Sequence, residues 1–366
     1  MKTALTSAAL ALALAALPAA PAQAQESGDP LRLIFVDVEG GSAALYITPQ
    51  GQSLLIDTGW PTGVGGPRPE PGKPAPTPLN SAERIAAAAR AAGLNRIDYL
   101  VVTHYHVDHV GGVEDLLKAI PVGTVIDHGP NREFPREGTN PAALRFATST
   151  LYPAYLKAIE GHPHREMKAG ETLSIDGLEL LAVNSDREIY DVPRPSANPA
   201  CATATSKDQD GGEENARSLG FLMRWGKARL LAMADTTWNV ENTLACPENR
   251  IAPVDLYLAN NHGSEISNSP VFVNSVAPRI VLFQNGPRKG ADASVLDTAR
   301  ASPRKPAIWQ MHSAERSPER DAPPQNIANV AGGTDGHALH AYVRRDGVIT
   351  LVNTRTGHSE TYPAAQ

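Results

Sequence analysis

The chain has 366 residues, with 33 Lys plus Arg against 39 Asp plus Glu and a formal net charge of −6. Aromatics make up only 5 %, which argues against base-stacking platforms for single-stranded nucleic acid. The mild acidity likewise argues against an extended nucleic-acid face. Apolar residues at 42 % suit a globular fold, and 31 Pro with 30 Gly foretell many ordered loops.

Residues 1–24 read as a secretory signal. Lys2 supplies a positive start, Ala8 to Leu17 an apolar run too short to span a bilayer, and Ala22-Gln23-Ala24 a small-residue cleavage site. Cleavage after Ala24 would leave residues 25–366 as one exported domain, periplasmic or extracellular, with no membrane contact. In an oxidising compartment Cys201 and Cys246 are expected to pair. Two cysteines are too few, and too far apart, for a thiolate-based zinc site.

Leu31 to Val38, Ala43 to Thr48 and Ser53 to Asp57 read as three short strands in an antiparallel meander. A Pro/Gly-rich flap from Thr58 to Pro78 is longer than a connector needs to be. Asn80 with Glu83 forms an N-cap pair for an Ala-rich helix that Gly93 ends. The apolar run Ile97 to Thr103 predicts a strand buried on both faces, which delivers His104 at its end. A helix over Val113 to Ile120 and a strand over Val122 to Asp127 follow. Leu173 to Val183 predicts a hairpin turning at Asp176-Gly177. Residues 184–216 read as a second long polar loop. Strands are then expected at Ser218 to Trp225, Ala228 to Ala234, Asp255 to Ala259, Arg279 to Gln284 and Ala307 to Met311. Helical stretches come between them, with one over Thr237 to Ala245. A hairpin within residues 337–353 closes the chain. Alternation of this kind predicts an α/β domain with helices outside packed sheets.

The strongest chemical signal is His104-Tyr-His106-Val-Asp108-His109 before Gly111-Gly112. In extended chain, residues i and i+2 face the same side, which puts His104 and His106 on one metal. The turn that follows can aim Asp108 and His109 at a second. Imidazole and carboxylate suit Zn²⁺, and also Mn²⁺ or Fe²⁺. His312 ends a strand, where active residues of α/β sheets gather. Arg288-Lys289, in a Gly-bounded turn, offers an anion-binding corner. His128 ends a strand. His162 and His164 lie in a loop with no acidic partner, and His337 and His340 read as ordinary strand residues.

His-x-His-x-Asp-His resembles the signature of the metallo-β-lactamase superfamily. The resemblance continues through Leu54-Leu-Ile-Asp57-Thr-Gly59, Leu230-Leu-Ala-Met-Ala-Asp235 and His262, and covers residues 31–312. A narrower likeness is to the ComEC/Rec2-type branch, carried by Phe35-Val-Asp37-Val-Glu-Gly-Gly41-Ser, Asn215-Ala-Arg-Ser218-Leu219 and Asn260-Asn-His262-Gly263-Ser264. The superfamily resemblance implies an αββα sandwich, two packed mixed sheets with helices on the outer faces. It also implies metal ligands His104, His106, Asp108, His109, Asp235 and His262, with Asp235 bridging two ions. One departure is clear. Where many members supply a third His to the first metal, this chain reads Val183-Asn184-Ser185-Asp186. One or two ions are therefore expected, with Asp186 or Asn184 as candidate substitutes.

These features imply an exported metal-dependent hydrolase. Asp108 would orient the nucleophile, His312 would touch the substrate, and Arg288 and Lys289 would bind it on the rim of a cleft walled by the two long loops. The branch likeness implies a phosphodiester-type substrate. The acidity and few aromatics favour a small one, and a lactone or β-lactam would also need no basic face. A degenerate, metal-binding protein without catalysis is the alternative of a different class. No Gly-x-Ser-x-Gly elbow or Gly-rich nucleotide fingerprint is present.

Overall fold

Successive strand side chains point to opposite faces, and each of the two sheets turns an apolar inner face to the other. The computed structural model describes residues 28–66, 77–192, 196–207, 212–330 and 336–365. The expected signal segment, part of the flap and parts of the second long loop lie outside these residues. The first sheet runs, edge to edge, through Ser359–Tyr362, Ile349–Asn353, Leu339–Val343, Leu31–Phe35, Ala44–Ile47, Ser53–Ile56, Ile97–Val101, Val122–Asp127 and His164–Glu166. The second runs through Ile327–Asn329, Ala307–His312, Ile280–Phe283, Leu256–Leu258, Ala228–Ala232, Gly220–Trp225, Leu178–Ser185 and Thr172–Ile175. Both are mixed: each combines antiparallel hairpins with a run of parallel strands.

Period-two alternation decides which side chain goes where. Leu31, Leu33 and Phe35 enter the layer between the sheets and meet Phe221, Met223 and Trp225. Ile34, Leu45 and Leu55 point the other way, against Ile85, Ala86 and Ala89 of the helix Ser81–Ala91 and Leu116 of Val113–Ala119. On the far side, Leu231, Tyr257 and Val281 pack under Leu244, Phe272 and Leu296 of the helices Trp238–Ala245, Pro270–Val276 and Ala293–Ala301. The result is four layers, helix–sheet–sheet–helix.

Local signals act as their chemistry dictates. Asn80 Oδ1 accepts the Glu83 N–H at 3.0 Å, and Gly93 leaves the helix at φ +90°. Asp176 and Gly177 turn the hairpin at φ +46° and +86°, both left-handed as a tight hairpin turn requires. Other segments depart from the expectation. The 184–216 stretch is not a plain loop: Glu188–Ile189 folds back on Leu178–Ser185, and short helices cover Pro199–Thr203 and Glu213–Ala216. His164 lies on a strand rather than in a loop, and its Nε2 meets Asp127 Oδ2 at 2.8 Å. Ser359–Tyr362 adds an edge strand beyond the terminal hairpin. Cys201 and Cys246 are joined across a separation of 45 residues, tying the short helix at 199–203 to the end of Trp238–Ala245.

Candidate metal centre

Parallel strands deliver the polar residues of the site from their C-terminal ends, where backbone leaves the sheet and side chains are free to converge. Asp57 follows Ser53–Ile56, His104 follows Ile97–Val101, Asp235 follows Ala228–Ala232, and His262 follows Leu256–Leu258. Several of these turns need unusual backbone. Asp57, Ala234, Asn261 and His262 all have φ between +49° and +61°, a conformation that costs a non-glycine residue energy and that clusters at functional sites.

Asp108, His109, Asp235 and His262 each offer one ligand atom, and these atoms all lie within 4.8 Å of one another. His109 Nε2 is 3.2 Å from Asp108 Oδ2, 3.2 Å from Asp235 Oδ1 and 3.2 Å from His262 Nε2. All four residues are buried. Beside them His104 Nε2 and His106 Nδ1 approach to 3.1 Å, so the two rings present adjacent nitrogens.

The remaining nitrogen of every one of these rings is held. His104 Nδ1 meets Thr103 Oγ1 at 3.1 Å, and His106 Nε2 meets Glu133 Oε1 at 3.4 Å. His109 Nδ1 meets Asp57 Oδ2 at 2.7 Å, and His262 Nδ1 meets the Gln284 carbonyl at 3.0 Å. Asp57 is itself fixed by the Thr103 N–H and hydroxyl. A ring pinned at one nitrogen by an acceptor presents the other as a lone pair, the arrangement that metal-binding imidazoles need. This donor set therefore fits a divalent metal.

The electrostatics divide the four imidazoles. Burial works to lower His106, His109 and His262, but the carboxylates facing them lift all three above the ordinary imidazole range, so a metal would bind these rings in place of a proton. Burial, with the neighbouring His109 and His106, holds His104 well below the ordinary imidazole range, so it stays neutral. Burial pushes Asp108 and Asp235 up, but it loses to the cations around them. Lys289 and His109 hold Asp108 well below the usual carboxylate range, and His109 and His262 do the same for Asp235. Lys289 Nζ touches Asp108 Oδ2 directly.

His312 is set apart from the convergent group. It is buried, its Nε2 lies 2.7 Å from Asp37 Oδ1, and Arg84 reaches the other Asp37 oxygen at 3.0 Å. Arg288 is exposed and pairs with Glu315 at 2.7 Å. Of the two suggested substitute ligands Asp186 is engaged, whereas Asn184 keeps Oδ1, the atom a metal would take, buried and without a hydrogen-bond partner among the described residues. Asp186 pairs with Arg217, and the Asn184 amide donates to the Ser218 carbonyl and Thr236 Oγ1. His128 is buried with its Nε2 at 2.9 Å from Glu214 Oε1. Glu214 also accepts the Tyr105 N–H, and its own N–H donates to Glu133. Glu133 and Glu214 brace the His-x-His segment, yet no motif marks them. Glu133 lies in a loop and Glu214 in the short helix Glu213–Ala216, and no fixed spacing ties either to the His-x-His run.

Each long loop sends a residue to the surroundings of the site. Trp60 of the flap lies with its ring 5.3 Å from Lys289 Nζ, and Glu214 of the second loop supports Tyr105 beside His106.

Residues 37–183 match the metallo-beta-lactamase superfamily model. A stretch of 41 residues is 56 % identical to a hydroxyacylglutathione hydrolase of Alkalilimnicola ehrlichii, covering 11 % of this chain and 16 % of that protein. The match thus spans well under a fifth of that relative. Among solved structures, the metallo-beta-lactamase fold protein YhfI of Bacillus subtilis is 11 % identical, covers 85 % of this chain and 100 % of that one, and has a TM-score of 0.42. The diiron beta-hydroxylase CmlA of Streptomyces venezuelae is 18 % identical over 69 % of this chain and 44 % of that one, with a TM-score of 0.37. Over residues 37–183 the chain matches the metallo-β-lactamase superfamily, and its two mixed sheets flanked by helices have the metallo-β-lactamase fold.

Proposed function

We propose that the protein is an exported metal-dependent hydrolase of the ComEC/Rec2-like branch, acting on a phosphodiester-type substrate with one or two zinc ions, manganese or iron being able to replace them. The observation that carries the reading is the convergence of Asp108, His109, Asp235 and His262 on one point, within 4.8 Å, beside the paired nitrogens of His104 and His106. His104, His106 and Asp235 would hold a first ion, and Asp108, His109, Asp235 and His262 a second. When bound, a divalent metal lowers the pKa of a coordinated water to about 7 and polarises the scissile oxygen. Asp57, Thr103, Glu133 and the Gln284 carbonyl keep the rings oriented, and Asp108 would orient the nucleophile. Arg288 and Lys289 would bind the phosphate, and His312, buried against Asp37, would lie off the rim. The disulfide supports export, since such bonds persist in oxidising compartments.

The test is a metal analysis joined to a substrate panel. Protein from a mild preparation should bind zinc or manganese and hydrolyse bis(p-nitrophenyl) phosphate, losing turnover on chelation and regaining it with metal. His106→Ala and Asp108→Ala should lose metal and turnover together. Inability to bind either metal, or faster hydrolysis of a lactone, β-lactam or thioester than of the phosphodiester, would overturn the proposal.

A further inference from the structure

We propose that the pocket between the flap and the 286–289 turn binds the substrate's phosphoryl group together with a single compact apolar leaving group, so that the substrate is a small phosphoester and not a polynucleotide. This deepens the hydrolase reading and rests on it. The pocket has a volume of about 410 Å³ and is lined by Glu39, Trp60, Gly65, Gly286, Arg288 and Lys289. That volume suits one small organic molecule.

Three features give the pocket its chemistry. Lys289 lines it and at the same time touches Asp108, so an anion held by this ammonium lies next to the convergent ligand set. Trp60 supplies an apolar wall facing the same ammonium, with its ring centre 5.3 Å from Nζ. Glu39 lines the same pocket as a buried carboxylate that pairs with Arg84 at 3.6 Å, an acid that disfavours a second phosphate beside the first.

The walls are fixed by close backbone approach. Gly40, at φ +82°, has so little room that a Cβ would lie 2.8 Å from the Gly286 Cα. A Cβ on Gly41 would lie 2.7 Å from the Asp108 carbonyl, which accepts the Ser42 N–H at 3.0 Å. Gly286 N–H closes its own turn on the Lys289 carbonyl at 2.9 Å, and Asn285 ties the turn to the His312 carbonyl at 2.8 Å. The turn that carries Lys289 is thus held against the turn that carries Asp108, and the pocket keeps its place relative to the site.

Calorimetry on the zinc-loaded protein should test this with inorganic phosphate, phenyl phosphate and a short oligothymidylate. Phenyl phosphate is expected to bind most tightly. Lys289→Met should weaken both phosphates by about tenfold or more, since a hydrogen bond to a charged group is lost. Trp60→Leu should weaken phenyl phosphate and spare inorganic phosphate. Zinc content measured in each variant separates a pocket effect from a loss of metal at Asp108. Tightest binding by the oligothymidylate, or zinc-replete variants that bind phenyl phosphate as the wild type does, would overturn the pocket. Turnover of bis(p-nitrophenyl) phosphate reads the parent proposal separately. Absent turnover with Trp60-dependent binding leaves the pocket standing and the hydrolase reading fallen.

Discussion

Asp37 and His312 form a buried pair at the edge of the site, and their charges make a pH prediction. Burial works to raise Asp37, but His312 and Arg84 beside it bring it below its ordinary value of 3.8. Burial works to lower His312, but Asp37 and Glu39 lift it above its ordinary 6.5. The Asp37 contribution to stability is present above 3.8 and is lost as pH falls through its lowered value. The His312 contribution is full below 6.5 and is lost as pH rises through its raised value. The pair therefore stabilises most between those two ordinary values. His312→Gln should lower the urea midpoint most near pH 5, and the gap to wild type should close in alkaline buffer. A gap independent of pH would show that the ring acts by packing alone. At this scale the ligand residues were readable because a six-residue run crowds His104, His106, Asp108 and His109 together. Asp57, Asp235 and His262 were readable only through family resemblance. Glu133 and Glu214 were not readable at all, because bracing a ring demands an acceptor at one point in space and no fixed spacing along the chain.

Elements position these residues through buried polar ties, and the helix Trp238–Ala245 is the clearest case. Its Glu241 is fully buried and accepts from Asn260 Nδ2 at 2.8 Å and from the Asn268 and Ser269 N–H groups at 2.6 Å each. Asn268 in turn donates to the Asn260 carbonyl at 2.8 Å and accepts the Tyr257 hydroxyl at 2.8 Å. Glu241 thus clamps both ends of the left-handed turn that carries His262. Glu241→Gln keeps the shape but turns an amide N–H₂ toward backbone donors. It should cost about 1–3 kcal/mol of stability, as a buried hydrogen bond replaced by opposed donors does. Denaturant unfolding would read this, and an unchanged midpoint would rule out the clamp. Regular elements were legible where apolar runs or caps mark them: the meander and the run 97–101 follow from short apolar strands between turn residues, and the helix at 81–91 from its Asn80 cap. Thr148–Ala158 was not, since Pro153 inside it reads as a breaker. Ser359–Tyr362 was not, since an exposed polar edge strand carries no apolar period.

The whole molecule depends on both ends of the chain meeting in one sheet. Leu31–Phe35 pairs antiparallel with Ala44–Ile47 on one side and with Leu339–Val343 on the other. The resemblance read from sequence ends near residue 312, yet the last strands are not an appendage. Leu339, Val343, Ile349 and Leu351 are buried in the layer between the sheets. Further ties cross to the second sheet: Trp309 Nε1 donates to the Tyr362 hydroxyl at 2.8 Å, and Arg279 Nη2 reaches the Gly347 carbonyl at 2.9 Å. Burying four large aliphatic side chains is worth about 1.5–3 kcal/mol each, or roughly 6–12 kcal/mol together. That is comparable to the whole net stability of a domain, about 5–15 kcal/mol. A chain ending at Val330 would forfeit this and leave Leu31–Phe35 as an unpaired, apolar edge open to aggregation. It should be insoluble or unfold without cooperativity, although every residue of the metal centre is still present. A soluble truncated protein with a cooperative thermal transition would show that the layer closes without its last strands. Metal binding measured on the same truncation would then show whether the ligand set converges on its own. The architecture predicts that it does not, because the strands that deliver Asp57 and His104 lie in the sheet that the C-terminal strands complete.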